Sequence, residues 1–139
     1  MQTILLPIPA GATRDEAREA ATRVVARYRD APVRVVLLNV QHPLPLHVTR
    51  FFPASAVRAY HLEAGMAVLA PAIEVLEAAG FAHSEDVRVG HAAKTIVSVA
   101  AAEHCDDVVL DEPSHGLASL LRAGSVDSQV RHLLRVRTA

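Results

Sequence analysis

The chain has few of the residues that mark disulfide-stapled or aromatic-rich proteins. Its 139 residues include one cysteine, Cys105, and no tryptophan, and aromatic residues make up 4%. A single cysteine excludes an internal disulfide, which suits a reducing cytoplasm, so we expect a cytoplasmic location. Hydrophobic residues nevertheless reach 51%. The core must therefore be built from Ala, Val and Leu, as when helices pack closely on a valine-rich sheet.

An excess of charge of either sign is also missing. Lys and Arg number 14 against 15 Asp and Glu, for a formal net charge of −1. Neither nucleic acid nor an anionic membrane is therefore expected as a partner. No apolar run approaches the roughly 20 residues of a membrane span, and the first residues lack the basic start and long apolar stretch of a secretory signal. The length of the whole chain predicts a single domain, residues 1–139.

Motifs for metal binding and catalysis are absent as well. The eight histidines show no HxH, HExxH or paired Cys/His spacing, so no metal site is predicted. Residues 104–107 (HCDD) straddle a helix-to-strand junction, and Cys105 is interpreted as a small buried hydrophobe. Ser114 and His115 lie near Asp111, but adjacent residues rarely adopt nucleophile–base geometry. We expect that the protein is not an enzyme. The alternative among enzymes is a hydrolase or a metal-dependent enzyme that uses the histidines.

The chain does contain apolar strands that alternate with amphipathic helices. Thr13 and Glu16 fit a capping box that starts the first helix. Pro71 predicts a kink in the longest helix, which Gly80 ends. The predicted strands are Thr3–Ile8, Val33–Val40, Ser84–Val89 (more polar, hence at an edge), Asp107–Leu110 and Arg135–Thr138. The later predicted helices are Ser55–Ala79, Ala92–His104 and Ser125–Leu134. This alternation indicates a single α/β domain with a mainly parallel sheet covered on both faces.

The longest stretch that we predict to be irregular is Gln41–Pro53, which contains three prolines. It carries Arg50, Phe51 and Phe52 between His42 and His61. Two interpretations remain open. Exposed apolar residues there mark a surface for a partner or ligand, or Phe51 and Phe52 fold back as a lid over the carboxyl edge of the sheet.

Residues 105–125, CDDVVLDEPSHGLASLLRAGS, are the most informative run of the chain. They indicate a short buried strand, a loop, and a Gly-Ser pair that opens the last helix. In an α/β protein this is where a phosphate binds. The loop, however, has Asp111, Glu112 and Pro113 where a phosphate cradle needs glycine amides. The simplest interpretation is that Asp111 and Glu112 end a strand in solvent while Ser114 caps a turn.

Three segments together resemble the universal stress protein family. ILLPIPAGA (residues 4–12) is similar to the family's opening strand, roughly V-L-V-P-V-D-G-S. VRVGHAAKTIVSVAA (residues 87–101) is similar to V-x-x-G-x-P-A-x-x-I-x-x-x-A. CDDVVLDEPSHGLASLLRAGSV (residues 105–126) aligns without a gap on the C-terminal signature A-D-L-I-V-M-G-S-x-G-x-S-G-L-x-x-L-L-L-G-S-V. The resemblance implies a three-layer α/β/α domain of the adenine nucleotide alpha hydrolase type, with five strands in the order 3-2-1-4-5.

The same resemblance implies a nucleotide site, and this chain departs from its pattern. Family members that hold ATP use a G-x-x-G-(nine residues)-G-[ST] loop, whose last pair falls on Gly124 and Ser125. Its first two glycines fall on Asp111 and Ser114. The family's aspartate beside the adenine falls on Pro9, and a backbone contact to the adenine falls on Val40. The motif-equivalent site is thus formed by Pro9, Val40, Asp111, Ser114, Gly124 and Ser125.

We therefore expect a stress-response regulator that has no cofactor and does not bind ATP in the family manner. The resemblance implies a homodimer that pairs through the last strand, at Arg135, Val136 and Arg137, and a further protein partner is left open. The alternative is a sensor of ATP, AMP or cyclic AMP that binds the nucleotide in the switch-point crevice despite the altered loop.

Overall fold

The computed structural model of the protein describes residues 1–110. The predicted last helix and fifth strand lie outside the described residues, as do Asp111, Ser114, Gly124 and Ser125. In chain order the described elements are β1 (Gln2–Pro7), α1 (Arg14–Arg27), β2 (Val33–Gln41), α2 (Leu46–Thr49), α3 (Ala54–Ala78), β3 (Ala82–Val89), α4 (Ala92–Ala102) and β4 (Asp107–Val108).

All four described strands form one parallel sheet in the order β3-β2-β1-β4. β1 pairs with β2 along its whole length, whereas β4 joins β1 through two residue pairs, Ile4↔Asp107 and Leu5↔Val108. The α/β prediction is confirmed, and among residues 1–110 the polar third strand lies at an edge of the sheet, as predicted. The sheet thus has four strands in residues 1–110, against the five expected for the whole chain.

Each face of the sheet is covered by its own aliphatic layer. Val35 and Leu37 of β2 point to the face packed by α1 and α3, and Val36 and Leu38 point to the face packed by α4. Within residues 1–110 the fully buried hydrophobic side chains are Ala, Val, Leu and Ile, with no aromatic residue among them. The predicted aliphatic core and three-layer arrangement are therefore present.

Local signals set the helix boundaries. Thr13 and Glu16 form both hydrogen bonds of the predicted capping box. α3 continues as one helix through Pro71, and the chain leaves it at Gly80, whose φ of 75° suits a residue without a Cβ. The stretch expected to be irregular does contain the short helix α2, because the Pro45 carbonyl accepts hydrogen bonds from Val48 and Thr49 at 2.9 and 3.1 Å. A proline fits a helix start, where the amide that it lacks would have no partner.

Short β4 is held in the sheet by side chains as well as by the ladder. The Thr3 N–H donates to the Asp106 carboxylate at 2.8 Å. The Tyr28 hydroxyl donates to Asp107, and the Arg27 guanidinium lies 3.4 Å from the same carboxylate. Burial, and then the hydrogen bond to Asp107, raise the pKa of the Tyr28 phenol. The phenol therefore stays a hydrogen-bond donor at neutral pH.

By length and composition α3 is the one helix in residues 1–110 that meets the criteria for a membrane span. Its buried residues, among them Gly65, Leu69, Ala72 and Leu76, lie along the side of the helix that faces the sheet. Core helices meet the same two criteria, so these properties make no case for a span.

Close contact at Gly65 sets how near α3 lies to the sheet. A Cβ added at Gly65 would lie 2.4 Å from Cγ1 and 2.7 Å from Cγ2 of Val87, and 3.1 Å from the Asn39 side-chain oxygen. Val87 is β-branched and has little rotamer freedom with which to move aside. Any side chain at position 65 must therefore push α3 away from β2 and β3.

We expect Gly65→Ala to lower the free energy of unfolding by about 1–3 kcal/mol, as overpacking a filled core does. A loss of stability would identify the steric contact, because helix propensity alone would make the alanine variant more stable than glycine by about 1 kcal/mol. Urea unfolding measures the change. Gly11→Ala is the control, since an added Cβ there meets no atom within 4 Å. Much of the cost should disappear in a Val87→Ala background; a cost that is the same in both backgrounds would contradict the contact.

Candidate functional site at the carboxyl edge of the sheet

The four parallel strands end at the same edge of the sheet, and the order of the chain reverses there. β2 and β3 lie on one side of β1, and β4 lies on the other. Open α/β proteins bind ligands in the crevice at such a reversal, beyond the carboxyl ends of the strands. The region beyond the carboxyl ends of β1 and β4 is therefore the candidate ligand site.

Two of the six predicted site residues lie within residues 1–110, and the structure brings them side by side. The Ile8 N–H donates to the Leu38 carbonyl at 2.8 Å, so continuing the register from Pro7↔Leu38 places Pro9 opposite Val40. Pro9 is exposed, and its carbonyl accepts from the Ala12 N–H at 3.0 Å in a tight turn. The Val40 side chain packs toward α4, while its backbone lies beyond the last residue of β1. Pro9 brings neither a carboxylate nor an N–H to this position.

Two buried side-chain amides, which were not predicted from the sequence, form a hydrogen-bonded pair at the end of β1. Asn39 is fully buried, and its Nδ2 donates to the Ile8 carbonyl at 2.9 Å. Gln41 Nε2 then donates to Asn39 Oδ1 at 2.7 Å. The sequence does contain a sign of this pair. Asn39 and Gln41 are two residues apart in an otherwise apolar strand, which places both side chains on one face. Asn39 thereby hydrogen-bonds the last carbonyl before Pro9.

His61 lies on the same side of the sheet and is 4% exposed. No group within residues 1–110 makes a hydrogen bond with its Nδ1. His61 lies one helical turn before Gly65, which contacts Asn39. Since α3 runs antiparallel to β2, one turn of about 5.4 Å toward the start of the helix corresponds to about two strand residues. This step places His61 at the level of Gln41, near the carboxyl edge.

The turn into α4 completes the described part of the edge. Gly90 has a φ of 151°, a conformation that side chains rarely adopt, and its N–H donates to the Gln41 carbonyl at 3.0 Å. His91 then caps α4, its Nδ1 accepting from the Lys94 N–H at 3.4 Å. Gly90 is the glycine that matches the family's mid-chain signature, and it extends the pairing of β2 by one residue.

The cluster at residues 104–107 has structural roles in the described part of the chain. Cys105 is half-buried and packs against the α4-side core. Burial raises the pKa of its thiol, the opposite of what a reactive thiolate needs. Asp106 and Asp107 bind Thr3 and Tyr28, as described above. Among residues 1–110 no three His, Cys, Asp or Glu side chains are grouped so that they could hold a metal ion.

Phe51 and Phe52 do not fold back as a lid. Their exposed fractions are 71% and 58%, so the lid interpretation of the proline-rich stretch was wrong. The backbone of α2 and the turn after it hold these side chains outward: the Phe51 N–H donates to Val48 and the Phe52 N–H to Thr49. The other interpretation, a surface for a partner, is developed below.

Comparison with known proteins assigns the family. A model of the universal stress protein family matches residues 1–137. The chain belongs to the universal stress protein family. This confirms the resemblance inferred from the three sequence segments. No curated protein sequence matches the chain.

Solved structures of universal stress proteins share the fold of this chain. It is similar to a family member from Burkholderia pseudomallei, with a TM-score of 0.61 and 18% identity over 96% of this chain and 90% of that one. It is also similar to a universal stress protein in complex with cAMP, with a TM-score of 0.56 and 19% identity over 94% and 88%. A third is the Arabidopsis thaliana family protein with AMP bound, with a TM-score of 0.56 and 13% identity over 88% and 86%. At these identities the likeness concerns the fold.

We expect Asn39→Leu to lower the free energy of unfolding by about 2 kcal/mol or more. It leaves the Ile8 carbonyl and the Gln41 amide without their partner, and each such buried group costs about 1–3 kcal/mol. Thr22→Val, which removes an exposed hydroxyl hydrogen bond to Arg18, is the control and should stay within about 0.5 kcal/mol. Chemical denaturation measures both; an unchanged stability of the Asn39 variant would show that the amide pair is dispensable.

His61→Leu should act in the opposite direction. It removes a buried nitrogen that has no hydrogen-bond partner among residues 1–110, so stability should be unchanged or rise by up to about 1 kcal/mol. His42→Leu, at an exposed histidine in the same stretch, is the matched control. A loss of more than about 1 kcal/mol specific to position 61 would mean that the imidazole makes a stabilising polar contact.

Proposed function

We propose that this universal stress protein is a stress-response regulator that does not hold ATP in the manner of its family. The observation that carries the proposal is Pro9. It lies at the end of β1 opposite Val40, where the family resemblance places an aspartate beside the adenine. A proline offers no carboxylate and no N–H to a purine base. The backbone of Val40, the second adenine contact, is kept.

The sequence of residues 111–114, which follow β4 in the chain, supports the same proposal. Asp111 and Glu112 would place negative charge beside the phosphates, and two unit charges about 4 Å apart repel by roughly 4 kcal/mol at a surface-like dielectric. Ser114 replaces a glycine where positive φ costs a non-glycine residue about 1 kcal/mol. Because about 1.4 kcal/mol corresponds to tenfold in affinity, these changes oppose a triphosphate by more than a hundredfold.

A second candidate function is binding of a nucleotide with one phosphate. Two solved structures that share this fold are described as complexes with cAMP and with AMP. A monophosphate requires less of the loop than ATP does, and Gly124 and Ser125 retain the pair that the family places at the phosphates. This candidate uses the same switch-point crevice.

The remaining parts of the proposal concern assembly, location and chemistry. We propose a homodimer paired through Arg135, Val136 and Arg137, a cytoplasmic location, and no catalytic activity of its own. No cofactor is part of the proposal. These statements rest on the family resemblance, the single cysteine and the lack of catalytic motifs in the sequence.

Thermal unfolding with nucleotide tests the proposal. Millimolar ATP with Mg²⁺ should shift the midpoint of the natural chain by less than about 1 °C. A ligand at 100 times its Kd would contribute about 2.7 kcal/mol, which is several degrees for a domain of this size. AMP and cAMP are measured in parallel. A shift with either of them and none with ATP would favour the second candidate, and a shift of several degrees with ATP would contradict the first.

Variants that restore the family's motif residues make the test specific. Asp111→Gly with Ser114→Gly, and the same pair with Pro9→Asp, should create or increase the shift with ATP. Asp30→Gly is the matched control, because it removes one exposed carboxylate from the turn that precedes β2, at the opposite edge. If the triple variant gains no more than the control, the loop and Pro9 are not what opposes ATP.

A further inference from the structure

Large apolar side chains are exposed together in one short part of the chain. Of the described residues, eight large hydrophobic side chains are exposed, and six of them fall between positions 46 and 62. We call the four of these that follow one another before α3 the aromatic surface: Leu46 (80% exposed), Val48 (37%), Phe51 (71%) and Phe52 (58%). Among residues 1–110 this segment is the richest in exposed large apolar side chains, which makes it a candidate interaction site.

The charge of this part of the chain is one-sided. From Gln41 to Leu62 the sequence has no aspartate, glutamate or lysine, although the whole chain has 15 acidic residues. Arg50 and Arg58 are exposed within it. The Arg50 guanidinium carbon lies 4.8 Å from the centre of the Phe51 ring. A cation is therefore presented together with an aromatic side chain, and no ion pair joins either arginine to a carboxylate among residues 1–110.

The backbone holds the aromatic surface in position before any partner arrives. Arg50 N–H donates to Leu46 at 3.0 Å and Phe52 N–H donates to Thr49 at 3.0 Å, while Ala56 N–H donates to Pro53 at 3.0 Å. α3 is in turn fixed to the sheet through its buried side. Anchors that are already ordered lose little conformational freedom on binding, which favours affinity.

Composition distinguishes between the classes of partner. Protein interfaces are enriched in aromatic residues and arginine and depleted of Lys, Asp and Glu, as this stretch is. Lipid-binding segments carry clusters of about four to eight Lys or Arg, and this one has two arginines. A second copy of the surface would bring the same positive charge against it.

We infer that the aromatic surface docks a partner protein whose contacting face combines apolar side chains with carboxylates. Phe51, Phe52 and Leu46 enter the apolar part of that face. Arg50 and Arg58 pair with its carboxylates at the rim. The inference is independent of the nucleotide site and does not rest on the proposed function.

Fluorescence anisotropy with a defined probe tests the inference on the full chain. The probe is a labelled amphipathic helical peptide with leucine on one face and glutamate on the flanks. It should bind the natural chain. Its affinity should fall about tenfold or more in Phe51→Ser with Phe52→Ser, and also in Arg50→Gln with Arg58→Gln, the scale expected when interface anchors are removed. Arg14→Gln with Arg29→Gln changes two exposed arginines, one at the start of α1 and one just after its end, and should leave affinity unchanged.

Several results would overturn the inference. One is the absence of binding, and another is equal affinity in the paired variants and the natural chain. A third is equal binding of a peptide in which lysine replaces glutamate, since this would show that charge complementarity has no role. Sedimentation with phosphatidylglycerol vesicles that is lost in the same variants would assign the surface to lipid. A dimer that dissociates in the phenylalanine variant would assign it to a second copy.

Discussion

Strand β2 is the element on which the rest of the structure depends, because it is buried on both faces and paired on both sides. β1 and β3 take their register from it, and both aliphatic layers pack against its alternating side chains. Only a strand in such a position can be apolar over most of its length. The two amides at its end, Asn39 and Gln41, are therefore exceptions that require partners, and the partners that they find shape the carboxyl edge.

The carboxyl edge combines the strand order of the fold with side chains that are particular to this chain. The reversal of strand order beside β1 gives this chain the point at which open α/β sheets bind ligands. The Asn39 amide, however, is used to hold the Ile8 carbonyl, and Pro9 follows directly. The ends of β1 and β2 are thus joined by a side chain rather than left open to a polar ligand.

The net charge of the whole chain does not show how acidic and basic residues are distributed along it. A chain with nearly equal numbers of acidic and basic residues still carries a stretch of about twenty residues with no acid at all. The exposed phenylalanines lie in that stretch, on the start of the crossover that leads from β2 to β3. The crossover has two sides: the buried side of α3 sets the distance to the sheet through Gly65, and residues on the outer side, among them Tyr60 and Leu62, are exposed.

The sequence by itself determined the fold class, the order of the elements, the capping box at Thr13 and the aliphatic nature of the core. These follow from periodicity, turn residues and caps, which act between residues close in the chain. Only the tertiary structure decided the contact of Asn39 with Ile8, the burial of His61, the approach of α3 at Gly65 and the outward position of Phe51 and Phe52. Asn39 and Ile8 are 31 positions apart, and such pairs meet only once strand register and helix-to-sheet distance are set. Register and distance are settled by the packing of the whole core, which no local pattern encodes.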